Sequence, residues 1–208
     1  MSNIGGILTA SAIEHEIYVT NHIIITPYDS NQLGINSYDL RIGDHVKIIC
    51  PTRTEKYWGS PDPTPDGYVP AVLVERQRNF IELDIREKVE YEDIKIPETG
   101  LVLEPNTLYL IPTQEYIRTD YFEPLITGRS SMGRMGIQVH CEAGFGDIGF
   151  AGCWTLQVKV TYPTRIYPGS RMAQVYFLTP HGDITKLYHG KYQHATDALG
   201  TESYKDFQ

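Results

Sequence analysis

Apolar positions near the N-terminus follow a helical spacing. Ile13 and Ile17 lie four residues apart, which places them on one face of a helix. Thr9 or Ser11 can cap this helix, and Ser11 has the capping-box spacing to Glu14. The sequence therefore predicts one short helix at this end of the chain.

The remaining apolar positions occur in short strand-like runs, and the first two of these runs are rich in β-branched residues. These runs are HIIITPY, HVKIIC, NFIELDI, LVLEP, TLYLIP, WTLQVKV, RIYPGS and AQVYFLTP. A turn is expected between Pro97 and Gly100, and a loop is expected at GSPDPTPDGYVP (59–70), which contains four prolines and two glycines. Many short strands at this spacing predict a mainly β fold of the barrel or jelly-roll type, not a parallel sheet.

Length and composition fit one soluble domain. The 208 residues are 41% apolar, can bury a core, and contain no internal repeat or linker. No apolar run reaches the roughly 18 residues of a membrane helix, and the N-terminus lacks a signal-peptide pattern, so a cytoplasmic protein is expected. From Tyr188 onward the chain is polar, and we expect this segment to order on a ligand or a neighbouring subunit.

The net charge limits the classes of partner. A formal charge of −8 argues against broad contact with nucleic acid or acidic membranes, although a few local arginines can still bind a nucleotide. The cysteines, Cys50, Cys141 and Cys153, lack metal-site spacing and are expected to be small buried apolar residues. A structural zinc site is not expected.

Two glycine-rich segments carry candidate chemistry. ITGRSSMGRMGI (126–137) combines arginines, serines and glycines that can bind an anion, although its spacing alone favours a tight turn and a short helix with solvated arginines. In VHCEAGFGDIGFAGCWTLQV (139–158), four glycines surround Asp147, which can hold a sugar hydroxyl or orient a water. Taken alone, this second segment is more typical of a plain turn.

Taken together and in order, the motifs resemble the dCTP deaminases and their relatives in the trimeric dUTPase superfamily. The matching segments are ILTASAIEHEI, LGINSYDLRIG (33–43), LEPNTLYLIPTQEYI (103–117), GRSSMGRMG (128–136), GFGDIGFAG (144–152), RMAQVYF (171–177) and YHGKYQ (188–193). Residues 52–100 match least and are interpreted as an insertion in a single domain spanning 1–208, with 188–208 as a C-terminal lid.

This resemblance implies a distorted β-barrel, a homotrimer with active sites at subunit interfaces, and a deoxynucleoside triphosphate bound with Mg²⁺ mainly through its phosphates. Contact with the phosphates or positioning of the nucleophilic water is implied for Arg129, Ser130, Ser131 and Arg134. Closure over the β- and γ-phosphates is implied for Gln174, Tyr188 and Lys191. The resemblance also implies that Asp147 contacts the deoxyribose and that the Ala143 carbonyl holds the attacking water. It implies that Asp39 reaches the metal through water.

The sequence departs from the family pattern at several of these positions. Gln157 stands where the family's deaminases have a glutamate that transfers protons, and an amide cannot act as a general base, although it can bind the base edge of a nucleotide. Glu142 replaces a usual threonine, so it is a surface carboxylate, a base-recognition group or a replacement catalytic carboxylate. Ala195 stands where the lid often has glutamine, for which Gln193 could compensate. Gly146 replaces a usual isoleucine.

Three functions follow from these observations. The favoured one is Mg²⁺-dependent hydrolysis of dUTP, or a related triphosphate, to the monophosphate and pyrophosphate, because it needs no carboxylate at Gln157. The second is deamination of dCTP to dUTP or dUMP. The third is a catalytically silent nucleotide-binding regulator. The preferred base and the role of residues 52–100 are left open.

Overall fold

The chain is described by a computed structural model that covers residues 5–50, 53–59, 72–78, 82–140 and 142–208. The predicted loop at 59–70 lies, apart from Gly59, outside the described residues, as do Cys141 and part of the predicted insertion at 52–100. One compact unit comprises Met1–Ile48 and Asp93–Gly200, and a smaller one comprises Ile49–Glu92 and Thr201–Gln208.

The larger unit is mainly β, as the sequence predicts. Its helices are α1 (Ala10–Tyr18) and α2 (Ser130–Arg134). The strands that begin in it are β1 (Ile23–Thr26), β2 (Tyr38–Arg41), β3 (His45–Ile49), β7 (Leu101–Leu103), β8 (Tyr109–Thr119), β9 (Glu123–Gly128), β10 (Ile137–Val139), β11 (Ala151–Val160), β12 (Thr164–Ile166) and β13 (Arg171–Leu178). The other strands are β4 (Arg53–Gly59), β5 (Val72–Arg78) and β6 (Tyr91–Lys95), and single 3-10 turns form at Ser30–Gln32 and Ser203–Phe207.

The strands form antiparallel sheets. The largest has the order β10-β11-β8-β3-β6, with β1 also paired to β8. A second sheet has the order β2-β13-β9, and β12 pairs with β7. In the smaller unit, β4 and β5 form a hairpin. The strand pairs whose register is defined are all antiparallel, which agrees with the predicted barrel or jelly-roll class, because folds of that class are built from antiparallel pairs.

Helix α1 confirms the N-terminal prediction except at its cap. Ile13 is fully buried and Ile17 packs against the core, as their spacing predicts. Thr9 is the N-cap, but its side chain caps no backbone N–H, and its hydroxyl instead lies 3.3 Å from the Ser11 hydroxyl. Ser11 lies inside the helix, so the capping-box spacing to Glu14 is not used. Burial of the apolar face therefore specifies this helix more than its cap does.

The core lies where strand alternation places apolar side chains. On β11, Trp154, Leu156 and Val158 are buried, while Thr155 and Gln157 between them are half-buried on the opposite face. Each buried side chain of this size contributes about 1.5–3 kcal/mol. One face of β11 is therefore committed to the core, and the other remains available for a site.

A buried ion pair joins the two main sheets. Glu115 on β8 has no exposed surface, and its Oε1 accepts hydrogen bonds from Arg41 Nε at 2.8 Å and Gln32 Nε2 at 2.9 Å. The Arg41 backbone N–H donates to Glu115 Oε2 at 2.9 Å. These bonds satisfy a carboxylate that would otherwise be costly to bury, so they fix β2 against β8.

The predicted strand at NFIELDI is not found in its described part. Residues 82–84 have no regular structure, and a turn begins at Ile85; residues 79–81 lie outside the description. Asp84 accepts hydrogen bonds from the Arg86 backbone at 2.9 Å and from its guanidinium, which favours a local turn over strand pairing. In the described ranges, no helix is long and apolar enough to cross a membrane.

Candidate active site

The loop after β9 presents polar side chains to solvent. β9 ends at Gly128, Arg129 is the N-cap of α2, and Ser130, Ser131 and Arg134 are exposed on that helix. The short helix that the spacing favours is therefore present, but of its two expected solvated arginines only Arg134 is exposed, since Arg129 pairs with Asp39. Exposed hydroxyls and a guanidinium on one short turn remain free to bind phosphate oxygens.

Arg129 is held by a carboxylate from β2, which lies two strands from β9 in the same sheet. Its Nε lies 2.9 Å from Asp39 Oδ1, and Arg171 Nη1 lies 3.4 Å from Asp39 Oδ2. The Asp39 side chain is only 16% exposed, so this pairing is partly shielded from water. Both carboxylate oxygens of Asp39 thus face guanidinium groups. Its implied link to a metal stays a prediction.

Gln174 lies beside the same loop. On β13 it is paired in register with Asp39, its Oε1 accepts from the Ser37 hydroxyl at 3.2 Å, and its Nε2 lies 3.5 Å from the Gly128 carbonyl. The structure therefore brings Asp39, Arg129 and Gln174 together, with the α2 side chains next to them in the chain. We call these residues the loop group.

A second group forms at the turn between β10 and β11. Asp147 is exposed there, and its charge adds to burial in raising the pKa of the nearby Glu123 carboxyl. The His140 backbone N–H donates to the Gln157 carbonyl at 2.7 Å, which places the turn containing Glu142 and Ala143 directly beside Gln157. Glu142 and Ala143 are both exposed.

Close packing determines the shape of this turn. A Cβ on Gly146 would lie 2.1 Å from the Trp154 ring and 2.6 Å from the Pro124 carbonyl. Trp154 also packs against Phe150, with ring centroids 4.9 Å apart. The indole therefore occupies the space that a side chain at position 146 would need, which accounts for glycine where the family pattern has isoleucine.

His140 is a residue of this turn that the sequence did not single out. It has φ of +57°, and burial lowers the pKa of its imidazole, partly offset by a hydrogen bond to the Ala143 backbone. Within the described part of the chain, its Nδ1 has no hydrogen-bond partner. The only sequence signal was its place at the start of the glycine-rich segment.

Gln157 is half-buried and shares a sheet face with Lys47. Both residues are paired in register with Leu110, and directly paired residues of antiparallel strands point to one face. Thr155 lies on this face as well, about 7 Å along the strand. The amide of Gln157 is therefore placed on the face of β11 that is not committed to the core.

The C-terminal segment lies against the turn of its own chain. The Tyr188 N–H donates to the Ile148 carbonyl at 2.8 Å. Gln193 accepts from the Ala151 N–H at 3.0 Å through Oε1 and donates to the Gly149 carbonyl at 2.8 Å through Nε2. Its amide is thus used within the chain, and its proposed contact with substrate stays a prediction. Lys191 lies between these anchors and is half-buried.

Asp147 and Arg129 lie toward opposite ends of β9 within one chain. The Gly146 N–H donates to the Pro124 carbonyl at 2.9 Å, and the Asp147 charge acts on Glu123, so Asp147 lies near the start of β9. The earlier part of the turn packs further along the strand, since the Ile126 N–H donates to the Gly144 carbonyl at 2.8 Å. Arg129 follows the other end of β9. We call Ala143, Asp147, Gln157, Tyr188 and Gln193, with Glu142 and Lys191, the turn group. The motifs named the members of both groups but gave no sign of this separation.

Comparison with known proteins bears on what these groups do. A family model described as dCTP deaminase-like matches residues 7–179, which is most of the chain. The chain belongs to the dCTP deaminase-like family. This confirms the resemblance that the ordered motifs indicate.

Relatives of this dCTP deaminase-like chain extend over nearly its full length. It is 35% identical over 202 residues to a "dCTP deaminase, dUMP-forming" of Hathewaya histolytica, covering 97% of this chain and 99% of the relative. It is 44% identical over 191 residues to a protein of the same description from Clostridium botulinum (strain Alaska E43 / Type E3), covering 92% and 94%. The chain is an enzyme of the dCTP deaminase family.

A solved structure supports the fold. The crystal structure of a 2'-deoxycytidine 5'-triphosphate deaminase from Agrobacterium tumefaciens superposes with a TM-score of 0.55 at 20% identity, over 85% of this chain. The dCTP deaminase-like chain spans about half of that solved chain, 49% of its length. At this identity the match speaks for the mainly β fold.

Proposed function

We propose that this enzyme converts dCTP to dUMP. One water replaces the cytosine amino group, releasing ammonia, and a second water cleaves the triphosphate, releasing pyrophosphate. The observation that carries the proposal is the similarity, up to 44% identity over nine-tenths of the chain, to relatives described as dUMP-forming dCTP deaminases. This reverses the order favoured by the sequence, in which dUTP hydrolysis came first.

The loop group is suited to the triphosphate. Arg129 is oriented by Asp39, and Ser130, Ser131 and Arg134 are exposed beside it. Guanidinium and hydroxyl groups bind phosphate oxygens by charge-assisted hydrogen bonds, which stabilise charge as it develops on the leaving pyrophosphate. Gln174 adds an amide next to the same loop.

Mg²⁺ would enter this site with the triphosphate. Among the described residues, no group of three or more His, Cys, Asp or Glu side chains could hold a metal ion, and both oxygens of Asp39 face arginines. The described side chains therefore suit a metal held mainly by phosphates and water, which would neutralise phosphate charge. The chain's own contribution is to bind and orient the phosphates.

The turn group is suited to the nucleoside. The exposed Asp147 can accept a hydrogen bond from the deoxyribose, and Gln157 offers both a donor and an acceptor to the edge of a pyrimidine. Tyr188 and Lys191 lie on the segment that covers this turn. These contacts orient the base and sugar while the loop group holds the phosphates.

Proton transfer needs a carboxylate that Gln157 does not supply. Glu142 is the candidate, since the backbone hydrogen bond from the His140 N–H to the Gln157 carbonyl brings its turn next to residue 157. An ionised carboxylate can take a proton from the attacking water and return it to the leaving amine, whereas an amide cannot. Glu142 is therefore the proposed proton carrier for deamination.

Subunit assembly would complete the site. Because Asp147 and Arg129 lie toward opposite ends of β9, we propose that a second copy of the chain supplies the loop group to the first copy's turn group. A closed homotrimer satisfies this arrangement with three equivalent sites. The proposal predicts that the active species is an oligomer.

A second candidate function is hydrolysis of dUTP alone. The amide at Gln157 favours it, since cleavage of the triphosphate needs no carboxylate at that position. In that case Gln157 would bind uracil and Asp147 would orient the attacking water. The two candidates differ in the fate of dCTP. The first predicts that dCTP is converted to dUMP with release of ammonia, and the second predicts that it stays unchanged.

Product analysis separates these functions. The purified protein is incubated with Mg²⁺ and dCTP or dUTP, and the products are resolved by anion-exchange chromatography together with an ammonia assay. Formation of dUMP, pyrophosphate and ammonia from dCTP supports the proposal. Turnover of dUTP with dCTP untouched supports the second candidate and contradicts the first. Binding of both without turnover would favour a silent regulator, and Arg134→Ala would then abolish binding.

A further inference from the structure

The C-terminal segment (188–208) is held at Asp197 by a histidine that lies between two carboxylates. His45 begins β3, and its Nε2 lies 2.5 Å from Asp197 Oδ1 while its Nδ1 lies 3.0 Å from Asp44 Oδ1. Asp197 belongs to the C-terminal segment, and Asp44 precedes β3. A protonated imidazole donates to both carboxylates, whereas a neutral one can donate to only one. We call the pairing of His45 with Asp197 the His45–Asp197 contact.

Around this contact, the backbone of the segment is bound closely to β11. The His194 N–H donates to the Ala151 carbonyl at 2.7 Å, and the Cys153 N–H donates to the Ala195 carbonyl at 2.7 Å. The Leu199 N–H donates to the Thr155 hydroxyl at 2.9 Å. These bonds order the stretch that follows Gln193.

Small residues allow this close approach. Ala195 is 7% exposed and Ala198 is fully buried. A Cβ on Gly152 would lie 2.9 Å from both the N and the O of Ala195. Residues 194–199 are therefore packed against β11 as closely as core residues, although this part of the sequence is polar.

Other charged and titratable groups face the contact. Lys47 on β3 lies 3.9 Å from Asp197 Oδ2 and 2.5 Å from Asp93 Oδ1. Lys95 on β6 is near enough to Asp44 to favour its charged form. On β11, burial and then the charges of Glu115 and Asp197 raise the pKa of the Cys153 thiol. Acidic groups outnumber basic ones here, so an additional positive charge on His45 is stabilised.

The contact lies on the sheet face that carries the turn group's amide. Thr155 binds the segment and is two residues from Gln157 on the same face of β11, about 7 Å along the strand. At its start, the segment is bound through Tyr188 and Gln193 to the turn between β10 and β11. The stretch from Tyr188 to Gln193 is thus held from both sides.

We propose that His45 and Asp197 are positioning residues, whose contact holds 194–200 on β11 and so sets the position of Tyr188 and Lys191 over the turn between β10 and β11. The effect on the segment stands on the contacts alone, whereas the effect on turnover rests on the proposed function. Neither side chain touches the turn group, so both act through the segment.

The contact is pH-dependent, and its sign follows from the surroundings. Burial opposes the charged imidazole, but the hydrogen bonds to Asp44 and Asp197 outweigh it and raise the pKa of His45 above its usual 6.5. Stabilisation from this group is therefore fully present below pH 6.5 and is lost as pH rises through the raised value. The segment is expected to loosen on the alkaline side of neutrality.

Amide hydrogen exchange of the full-length protein tests the segment directly. In Asp197→Asn and His45→Gln, protection of the Leu199, His194 and Cys153 amides is expected to fall about tenfold, as for loss of a charge-assisted hydrogen bond. Asp93→Asn is the matched control, because Asp93 pairs with Lys47 on the same face without touching the segment. Unchanged protection in both variants, or an equal loss in the control, would overturn the proposal.

Kinetics provide a second readout that a merely structural role would not give. Between about pH 6 and about pH 8.5, the KM for dCTP of the unaltered protein is expected to rise severalfold, and this rise is expected to disappear in His45→Gln. A pH profile that His45→Gln leaves unchanged would contradict the proposed role in positioning. If the unaltered protein turns over no dCTP, the proposed function fails, whereas the exchange experiment still decides whether the contact holds the segment.

Discussion

Arg129 Nε lies 2.9 Å from Asp39 Oδ1, so the arginine that follows β9 is oriented by a carboxylate of the same chain. Arg171 approaches the other oxygen of Asp39 at 3.4 Å. Pre-orientation of a guanidinium reduces the entropy lost when it binds a phosphate, which favours binding more than chemistry. Asp39 therefore orients Arg129, and this role is independent of its implied contact with a metal's water shell.

The first prediction separates these two roles of Asp39. In Asp39→Asn, the KM for dCTP is expected to rise about tenfold with little change in kcat, because one charge-assisted pair worth about 1.4 kcal/mol is lost. The Mg²⁺ concentration for half-maximal activity should stay constant. Steady-state kinetics at varied Mg²⁺ measure both quantities. Asp120→Asn, which alters the exposed pair with Arg118, is the control. A raised Mg²⁺ requirement would instead favour the metal role.

The second prediction concerns Gln157. If the pocket admits cytosine, Gln157→Glu should raise the rate of dCTP deamination by about 10²-fold, since it adds a general base on the open face of β11. Ammonia release at saturating dCTP is the measurement. Gln114→Glu makes the same chemical change at an exposed position of β8 and should have no effect.

The Gln157 experiment also bears on Glu142. If Glu142 already carries the proton, Glu142→Gln should abolish deamination in the unaltered protein, and Gln157→Glu should restore part of it in the double variant. Binding of dCTP with no change in turnover in Gln157→Glu would show that this position alone does not decide the chemistry.

The third prediction concerns stability. Glu115→Gln leaves the half-buried Arg41 guanidinium without its carboxylate, and we expect the free energy of unfolding to fall by about 3 kcal/mol. Urea titration measures this change. Asp120→Asn removes a surface pair and should cost no more than about 1 kcal/mol. Equal losses in the two variants would mean that the buried pair does not hold β2 against β8.

The fourth prediction concerns the close packing at Gly146. Gly146→Ala would place its methyl group against the Trp154 ring and the Pro124 carbonyl, so the turn must shift. We expect a loss of about 1–3 kcal/mol in unfolding free energy, together with weaker binding of dCTP. Gly6→Ala, with no atom within 4 Å of the added carbon, is the control. Wild-type stability and affinity in Gly146→Ala would rule out this packing as a constraint on the turn.

The parts of the fold that follow from local pattern could be predicted. Helix α1 follows from Ile13 and Ile17, and β11 and β13 follow from alternation of apolar and polar positions, because burial of one face specifies each element. The failures are local as well. Asp84 favours the turn that begins at Ile85 through its hydrogen bonds to Arg86, and Cys50 and Cys153 are half-buried where burial was expected.

The candidate site could be predicted only as motifs. Sequence order identified the residues of the loop and turn groups, but the separation of Asp147 from Arg129 along β9 depends on how the turn packs against Pro124 and Leu125, which no local pattern contains. The Asp39–Arg129 pair likewise joins residues far apart in the chain. Long-range contacts of this kind arise from sheet topology, so they became visible only in the structure.

The backbone bonds that join His194 and Ala195 to Ala151 and Cys153 also affect solubility. Without residues 194 and 195, these N–H and C=O groups of β11 would be open for pairing with a strand from another molecule, which is a common route to aggregation. The C-terminal segment therefore covers this part of β11 and should protect it from such pairing. Chains that end before His194 would be prone to associate edge to edge, whatever their effect on catalysis.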